Sequence, residues 1–375
     1  ANPALIVLNF NSNQLTSLNV SNNTVLTDLR LIDNQLTSLD VSANPALTRL
    51  FCNNNQLSSL NVRNGNNTDI IIFRAINNPD LTCIIVDNVS YSNANWTEID
   101  PASTFVENEA ECSALYTAIP DSNFEQALIE EGYDTAPIDG QVLTANISGV
   151  TSLNVSSKNI ADLTGIEGFI SLTDLDCNSN QLTGLDLSNN IALTELFCND
   201  NLLTSLNVSN NIALTVLKCN TNPLISLDVS ANIALQTLIC YENQLSSLNV
   251  SNNSALTRLE CFLNQLTSLD VSANPALFAL DCSDNVFTSL DVSNNTALEL
   301  LFCSSNQLTS LDVSNNIALT ELFCFSNQLT SLDVTNNIAL TILDVGDNLL
   351  TSLDLSNNIA LTELECDENQ LTGLL

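Results

Sequence analysis

The sequence has no histidine and no methionine, and its cations are scarce: 7 Lys and Arg stand against 42 Asp and Glu in 375 residues. Without His, the chain has neither the commonest general base nor the commonest transition-metal ligand. The formal net charge of −35 argues against nucleic acid and anionic membranes as partners, because both require clustered Lys and Arg. No run of about 18 apolar residues is present, so no segment is predicted to insert into a membrane.

The two ends of the sequence both fall within repeated text. Residues 1–5 repeat residues 43–47, and residues 371–375 stop inside a repeat. An uncapped solenoid end exposes an edge that can pair with other chains. Since there is also no Met and no signal peptide, we expect a larger parent protein.

A period of 21 residues dominates the chain, and we call each period a rung. The cysteines on this period are Cys177, Cys198, Cys219, Cys240, Cys261, Cys282, Cys303, Cys324 and Cys366, and Cys52 fills the same slot in the upstream copies. Each rung has a first half, LxxLxCxxNQ, and a second half, LTSLDVSNN. Apolar and polar residues alternate in both halves, which predicts a strand in each. The Asn that closes each half is predicted to hydrogen-bond the turn backbone of every rung.

The first half matches the leucine-rich-repeat line L-x-x-L-x-L-x-x-N-x-L, with Cys at its third apolar position. The chain thus resembles bacterial leucine-rich-repeat proteins. That resemblance implies an α/β-type solenoid of mostly parallel strands, wound as a right-handed superhelix. We expect two tandem arrays with a capped joint and one short helix.

The period breaks between Leu81 and Ser171, which predicts three segments. Residues 1–115 form a first leucine-rich-repeat array with a C-terminal disulfide cap. Residues 116–170 form a helical entry cap, and residues 171–375 form the second, truncated array.

The entry cap is predicted to contain the short helix, in the text IPDSNFEQALIEEGYD. Ser122 and Glu125 match a capping box, and Gly132 suits the helix end. The segment from Ile160 to Glu167 resembles the entry segment of internalin-like proteins. Its matching residues are Ile160, Asp162, Leu163, Gly165, Ile166 and Glu167.

Cys83 and Cys112 are the two cysteines that do not follow the 21-residue period. We predict a disulfide between them that closes the cap of the first array; the alternative is two unpaired thiols. A loop of roughly 30 residues gives a stabilisation of about 3–4 kcal/mol. A disulfide implies an oxidising, extracytoplasmic location.

The cap text and the acidic, Asn-rich repeats together resemble large secreted repeat proteins of marine Bacteroidetes. The resemblance implies an extracellular location or the outer cell surface of a Gram-negative bacterium. Asp134-Thr135-Ala136 matches the D-[ST]-[small apolar] pattern that is O-glycosylated in Bacteroidetes, so Thr135 is a candidate glycosylation site.

Two side-chain columns could suggest metal binding. Alternation places the periodic Cys inward, where thiols behave as small apolar groups, and Val345 fills the same slot. We therefore expect no metal and no cofactor at the cysteines. The second halves carry an outward Asp or Asn column, which we interpret as a solvated face. Bridging Ca²⁺ between rungs is the alternative there, because carboxylate oxygens suit that ion.

The outward positions of the first half vary from rung to rung, whereas the second half is nearly constant. Aromatic residues and five of the seven cations gather there, and such residues are typical of binding hot spots. We call this surface the variable face. Its candidate ligand-binding residues are Arg30, Arg49, Phe51, Arg74, Phe197, Lys218, Ile239, Tyr241, Arg258, Phe262, Phe302, Phe323 and Phe325.

These features predict a non-catalytic recognition or adhesion module that binds a protein or a polysaccharide through the variable face. An enzyme needs distinct groups that converge in a pocket, and repeated columns do not supply them. The alternatives are a structural stalk or filament whose partners are like chains, an accessory module of a larger secreted enzyme, and drift at unconstrained surface positions.

Overall fold

The computed structural model describes residues 2–373; Ala1 and residues 374–375, which begin and end the predicted arrays, lie outside the described range. The chain divides into two compact units, the first ending at Tyr116 and the second beginning at Thr117. Both are solenoids of parallel strands, as the repeats predict. No helix in the described range is long and apolar enough to cross a membrane.

The first unit holds two parallel sheets and two helices. Its elements are β1 (Val7–Asn9), β2 (Asp28–Arg30), β3 (Ser38–Asp40), β4 (Arg49–Phe51), β5 (Ser59–Asn61), β6 (Ile72–Arg74), β7 (Cys83–Ile85), α1 (Val89–Asn95), β8 (Thr104–Val106) and α2 (Glu109–Ala114). First-half strands pair in the order β1-β2-β4-β6, and second-half and cap strands in the order β3-β5-β7-β8. A single 3-10 turn, Asn67–Asp69, precedes β6.

The second unit is built on one parallel sheet of eleven strands. Its elements are β9 (Tyr116–Ala118, which crosses the unit boundary), α3 (Ser122–Glu130), β10 (Gln141–Leu143), α4 (Thr144–Ile147), β11 (Ser152–Asn154), β12 (Asp174–Asp176), β13 (Glu195–Phe197), β14 (Val216–Lys218), β15 (Thr237–Ile239), β16 (Arg258–Glu260), β17 (Ala279–Asp281), β18 (Leu300–Phe302), β19 (Glu321–Phe323), β20 (Ile342–Asp344) and β21 (Glu363–Glu365). Strands β11 to β21 pair in sequence order, and β9 pairs with β10. The 3-10 turn Ile166–Gly168 lies between β11 and β12.

The core of each unit is a stack of identical apolar layers. In the rung of β16, Leu256, Leu259, Cys261, Leu266 and Val271 are all fully buried. In β16 the middle residue, Leu259, points inward and its two neighbours point outward, as the period of two requires. The strand register therefore sets each outward side chain beside its equivalent 21 residues away.

The Asn columns join the rungs, as the sequence predicts. Asn201 Nδ2 donates to the carbonyl oxygens of Cys177 and Cys198, and its Oδ1 accepts from the Leu182 amide at 3.0 Å. In the second halves, Asn211 Nδ2 donates to the carbonyl of Asn190 at 2.9 Å. One side chain thus satisfies polar backbone groups in two rungs at once.

The second halves depart from prediction in the second unit. Their text is strand-forming in the first unit, at β3 and β5. Within the described rungs of the second unit it makes an isolated bridge, between Asn207 and Asp228, rather than a ladder. Near-identical text takes both forms, so neighbouring segments decide the pairing, not local propensity.

The predicted single helix is present as α3, but three more short helices accompany it. Helices α1 and α2 begin at Asn88 and Asn108, whose side chains accept the amides of the third helical residue. Both lie in non-repetitive text, where Asn is a good N-cap. Helix α3 ends as predicted, with Gly132 at φ +80°.

The predicted capping box at the start of α3 is wrong. The cap is Asp121, whose carboxylate accepts the amides of Asn123 and Phe124. Glu125 is fully buried and instead accepts the amides of Asp139 and Gly140, at 2.6 and 2.8 Å. A turn more than ten residues away therefore outcompetes the local partner of this carboxylate.

Candidate binding surface

The first unit brings its predicted face residues together around one ring. Arg30, Phe51 and Arg74 are register neighbours on β2, β4 and β6. The guanidinium carbons of Arg30 and Arg74 lie 5.4 and 5.8 Å from the centre of the Phe51 ring. The ring is thus held between two cations, a favourable arrangement for its electron-rich faces.

The cations of this cluster also have internal anionic partners. Arg30 donates two hydrogen bonds of 2.9 Å to Asp28, and Arg49 lies 3.6 Å from the same carboxylate. The hydrogen bond from Arg30 lowers the pKa of Asp28, outweighing the effect of burial. Arg74 pairs with Glu98 at 2.9 Å. The first-unit cluster therefore offers a partner an aromatic ring and compensated charges.

In the second unit, Phe197, Lys218 and Ile239 form a continuous outward column on β13, β14 and β15. The Lys218 ammonium lies 4.9 Å from the centre of the Phe197 ring. Within residues 2–373 it forms no ion pair, unlike Arg258, whose Nε donates to Glu260 at 2.6 Å. A concavity of about 440 Å³ lies over these strands.

A second group lies at the end of that column, and we call Tyr241, Phe262 and Leu263 aromatic patch A. The rings of Tyr241 and Phe262 stack at 4.2 Å with a 14° interplanar angle. Partial burial raises the pKa of Tyr241, and nearby carboxylates, Asp200 first among them, add to this shift. Offset-stacked rings present one flat apolar surface.

Leu263 has an uncommon backbone conformation for its side chain. Its φ is +50°, at a position that carries Asp, Ser or Asn in most other rungs. A bulky residue in the left-handed region is strained, and Leu263 is also 47% exposed. An apolar side chain is therefore held in solvent next to the stacked rings, at a cost in backbone energy.

Further along the same face lies aromatic patch B, formed by Phe302, Phe323 and Phe325. The rings of Phe302 and Phe323 are 4.9 Å apart and tilted by 39°, and Phe325 is half-buried in the turn after β19. The rings shield one another, so the aromatic side chains of both patches are half-buried. Contiguous apolar surface of this kind marks contact sites.

Carboxylates border patch B on both sides. Asp281 and Asp344 are register neighbours of Phe302 and Phe323 respectively. Burial raises the pKa of each, and carboxylates nearby, Glu260 for Asp281 and Asp367 for Asp344, raise it further. The face is strongly acidic at the strands where its rings are concentrated.

The periodic cysteines form a buried column, as predicted, except that Cys366, just after the last strand, is only half-buried. Those of β12 to β19 have no exposed surface, and all are free thiols. Burial raises the pKa of Cys198, Cys240 and Cys303 to about 12. Because the thiolate is the reactive form, these side chains serve as core.

The outward acidic column of the second halves stabilises turns. The carboxylate of Asp312 accepts the Ser314 amide at 2.9 Å, and hydrogen bonds from Ser314 lower its pKa. The same motif recurs from rung to rung, for example at Asp228. Among the described residues, no three Cys, Asp or Glu come close enough together to hold a metal ion.

The other predicted positions lie away from the variable face. Cys83 and Cys112 form the predicted disulfide, with Cα atoms 5.8 Å apart, and it joins β7 to α2. Thr135 is exposed in the loop between α3 and β10.

The structure shows one feature that the repeat pattern did not predict: a column of exposed isoleucines at the turns after the second halves. Its members are 59–92% exposed: Ile170, Ile191, Ile212, Ile233, Ile317, Ile338 and Ile359. Ser254, Pro275 and Thr296 interrupt it. The recurring text NNIAL was the available signal, since Ile and Leu lie two residues apart and the Leu is the buried one.

Comparison with known proteins places the fold. The chain is similar to the functional domain of InlJ from Listeria monocytogenes, which includes a cysteine ladder, at 35% identity and a TM-score of 0.60. The match covers 69% of this chain and 63% of that one, so the chain spans less than two thirds of the Listeria structure. No protein-family model matches the chain. No curated protein matches it either.

Two more distant structures share the fold alone. A leucine-rich-repeat protein of Leptospira interrogans matches at 21% identity and a TM-score of 0.53, over 99% of this chain and 80% of that one. The ectodomain of the Arabidopsis thaliana receptor kinase GASSHO1/SCHENGEN3, in complex with Casparian strip integrity factor 2, matches at 17% identity and a TM-score of 0.52, over 94% of this chain and 48% of that one. The chain has the leucine-rich-repeat fold, and its structural neighbours include bacterial internalin-like proteins.

Proposed function

We propose that the chain is a non-catalytic recognition or adhesion module that binds a protein or a polysaccharide through the variable face. The observation that carries this proposal is the pairing of aromatic side chains on neighbouring rungs, at patches A and B. Rings that stack across strands offer a partner rigid apolar area at little entropic cost. The remaining face residues of the second unit surround or extend that contact area. The Arg30–Phe51–Arg74 cluster is a separate candidate contact of the first unit.

The fold supports a binding role. Leucine-rich-repeat solenoids present extended surfaces assembled from successive repeats, and the Arabidopsis ectodomain was solved with a bound partner. The described residues show repeated carboxylate and hydroxyl columns in place of a distinctive pocket chemistry. We therefore assign no reaction to the chain.

The test is a binding screen with a matched control. The purified chain is titrated against arrayed polysaccharides and cell-surface extracts, with and without Ca²⁺. Replacement of Phe302, Phe323 and Phe325 by Ala should abolish binding. The control replaces Ile317, Ile338 and Ile359 by Ala, which removes exposed apolar groups from rungs at the same end of the sheet. Equal binding by both variants would refute the proposed face.

The second candidate is a structural stalk or filament, and the exposed Ile column favours it. Contiguous apolar surface can join like chains, although the net charge of −35 opposes self-association. Light scattering against protein concentration distinguishes the two functions. Assembly that the Ile317, Ile338 and Ile359 variant loses would support the stalk, whereas a monomer at all concentrations would exclude it.

We further propose an extracellular or outer-surface location in a Gram-negative bacterium. The Cys83–Cys112 disulfide supports an oxidising compartment. The exposed position of Thr135 is compatible with O-glycosylation. Fractionation of the source cells, followed by mass spectrometry of the peptide that contains Thr135, tests both. Reduced, unmodified protein in the cytoplasm would contradict them.

A further inference from the structure

An acidic rung separates the two aromatic patches of the second unit. In the outward column, Glu260 pairs in register with Asp281, and Asp281 pairs with Phe302. Patch A ends on the rung of β16, and patch B begins on the rung of β18. With about 4.8 Å between strands, the rings on either side are roughly 10 Å apart.

The side chains next to Asp281 on the intervening rung are small, although Phe278, just before β17, is 38% exposed. The outward positions on either side of Asp281 hold Ala279 and Ser283, whereas the preceding rung has Arg258 and Phe262 at the equivalent positions. The following rung brings the larger Leu300. Asp281 is half-buried between these larger neighbours. The carboxylate therefore lies between the rung of patch A, where Glu260 is its register neighbour, and Phe302 of patch B.

The charge of Asp281 has no cationic partner in the described part of the chain. Its carboxylate accepts the Ser283 amide at 3.1 Å. Arg258, the cation of the neighbouring rung, is paired with Glu260 instead. Burial raises the pKa of Asp281, and repulsion from Glu260 and Asp284 adds to the effect. A cation brought by a partner would compensate the charge of the half-buried carboxylate and offset the repulsion from its neighbours.

Other occupants fit this place less well. A bare metal ion needs several ligands, and residues 2–373 supply no cluster of three. A second copy of this acidic chain carries the wrong charge. A neutral sugar could stack on the rings but leaves the carboxylate uncompensated. Charge complementarity favours a partner that brings a cation with apolar groups on both sides.

We propose that the second unit recognises an Arg or Lys side chain of an extended partner polypeptide, bound at Asp281, with apolar residues of that polypeptide seated on aromatic patches A and B. This inference rests on the proposed function and names the partner class for the same face. The polypeptide lies across the strands, since the patches are arranged along the sheet. At about 3.3 Å per extended residue, side chains two positions before and after the cation reach the two patches.

The probes are two synthetic peptides, acetyl-Leu-Ser-Arg-Ser-Leu-amide and the same peptide with norleucine in place of Arg. The norleucine peptide keeps the apolar stem and lacks the charge. The full chain is titrated with each by calorimetry, up to millimolar peptide. The Arg peptide should bind at least about tenfold more tightly than the norleucine peptide, and added salt should reduce this difference in affinity.

Two charge-matched variants locate the effect. Asp281→Asn keeps the shape and the acceptor for the Ser283 amide, and it should remove the preference for Arg. Asp312→Asn removes the same charge from the second-half column and should leave the preference unchanged. Thermal melts of both variants verify that the fold is retained.

The inference is overturned if neither peptide binds, if Arg and norleucine bind equally, or if both variants lose the preference to the same extent. The proposed function has a separate readout. In one outcome, cell-surface extracts bind the wild type and the Asp281→Asn variant equally but not the variant with Ala at Phe302, Phe323 and Phe325. That result would support the recognition module and refute the cation site. If no extract binds at all, the proposed function fails as well.

Discussion

Cys261 and Asn264 stand three residues apart and meet two different demands of one rung. Cys261 fills core volume without a hydrogen-bond requirement and has no exposed surface. Asn264 donates to the carbonyls of Cys240 and Cys261, both at 3.1 Å, and accepts the Leu245 amide. The first position can accept any apolar residue of similar size, whereas the second requires a side chain that both donates and accepts.

The Cys slot should therefore tolerate Val but not Ser. We expect Cys261→Val to change the free energy of unfolding by less than about 1.5 kcal/mol, since Val345 fills the same slot in another rung. Cys261→Ser buries a hydroxyl and should cost about 1–3 kcal/mol. Urea unfolding measures both. A Ser variant as stable as the Val variant would show that the column is not a dry core.

Among the elements, helix α3 is fixed at its N-terminus by one carboxylate. Asp121 caps the helix, and its second oxygen accepts the amides of Ala161 and Asp162 at 2.8 and 3.0 Å. Burial alone raises its pKa, but these four backbone donors together lower it. Gly165 lies nearby at φ +107°, and a Cβ there would lie 2.6 Å from the Ala118 carbonyl oxygen. The Asp121 carboxylate thus joins the start of the helix to the entry turn.

Asp121→Ala should lower the stability of the second unit by about 1–2 kcal/mol, the usual effect of losing an N-cap, or more because two further amides lose their acceptor. Ser122→Ala, at the cap position that the sequence predicted, should change it by no more than about 0.5 kcal/mol. Since the folded pKa of Asp121 is lowered, its contribution is present above the unfolded value of 3.8 and is lost as the pH falls through the folded pKa.

Thermal melts of both variants at neutral pH, and of the wild type down to pH 3, make the measurement. Equal losses from Asp121→Ala and Ser122→Ala would contradict the observed cap.

The sequence predicts some of these structural features and not others. The 21-residue period predicted the inward Leu and Cys columns, the Asn hydrogen bonds and the neighbours on the variable face, because register repeats contacts from rung to rung. It failed at Glu125, whose acceptors are used by amides 14 and 15 residues away. It also failed at the exposed isoleucines. Two apolar residues lie close together there, and the sequence alone does not determine which of them the turn exposes to solvent.

The candidate site was predictable in position more than in detail. The columns of Phe302 and Phe323, and of Arg30 and Phe51, follow directly from the repeat. The strained backbone of Leu263 and the ion pairs that occupy Arg30 and Arg74 depend on turn geometry and on side-chain rotamers. Those are set by packing across rungs, which no single repeat encodes.

In the molecule as a whole, the charged groups and the buried thiols lie in different regions. The chain carries a formal net charge of −35, with most of its carboxylates at the surface, while the interior contains neutral thiols. Burial raises the pKa of Cys52 to about 12 and that of Cys219 and Cys282 well above 9.0. In the unfolded chain the same thiols ionise near 9.0, so folding holds them protonated at pH values where the open chain releases its protons.

Alkali should therefore destabilise the protein more steeply than a typical domain. A raised folded pKa contributes stability that is complete below 9.0 and declines as the pH rises towards 12. We expect the Tm to be nearly constant from about pH 7 to 8.5 and to fall steeply above 9. A Cys219→Val, Cys261→Val double variant should fall less steeply. Parallel Tm profiles for the two proteins would contradict this account.

Because the rungs are stacked at a regular spacing, the distance between two groups on the face changes only in steps of one rung. Patch A and patch B are separated by one intervening rung, and the backbone of every rung is alike. Deletion of that rung would bring the patches together by about 4.8 Å without altering either, and duplication would move them apart by the same step. The distance between the patches can thus change without any change in their side chains. The length of the ligand that fits both patches therefore changes by whole repeats.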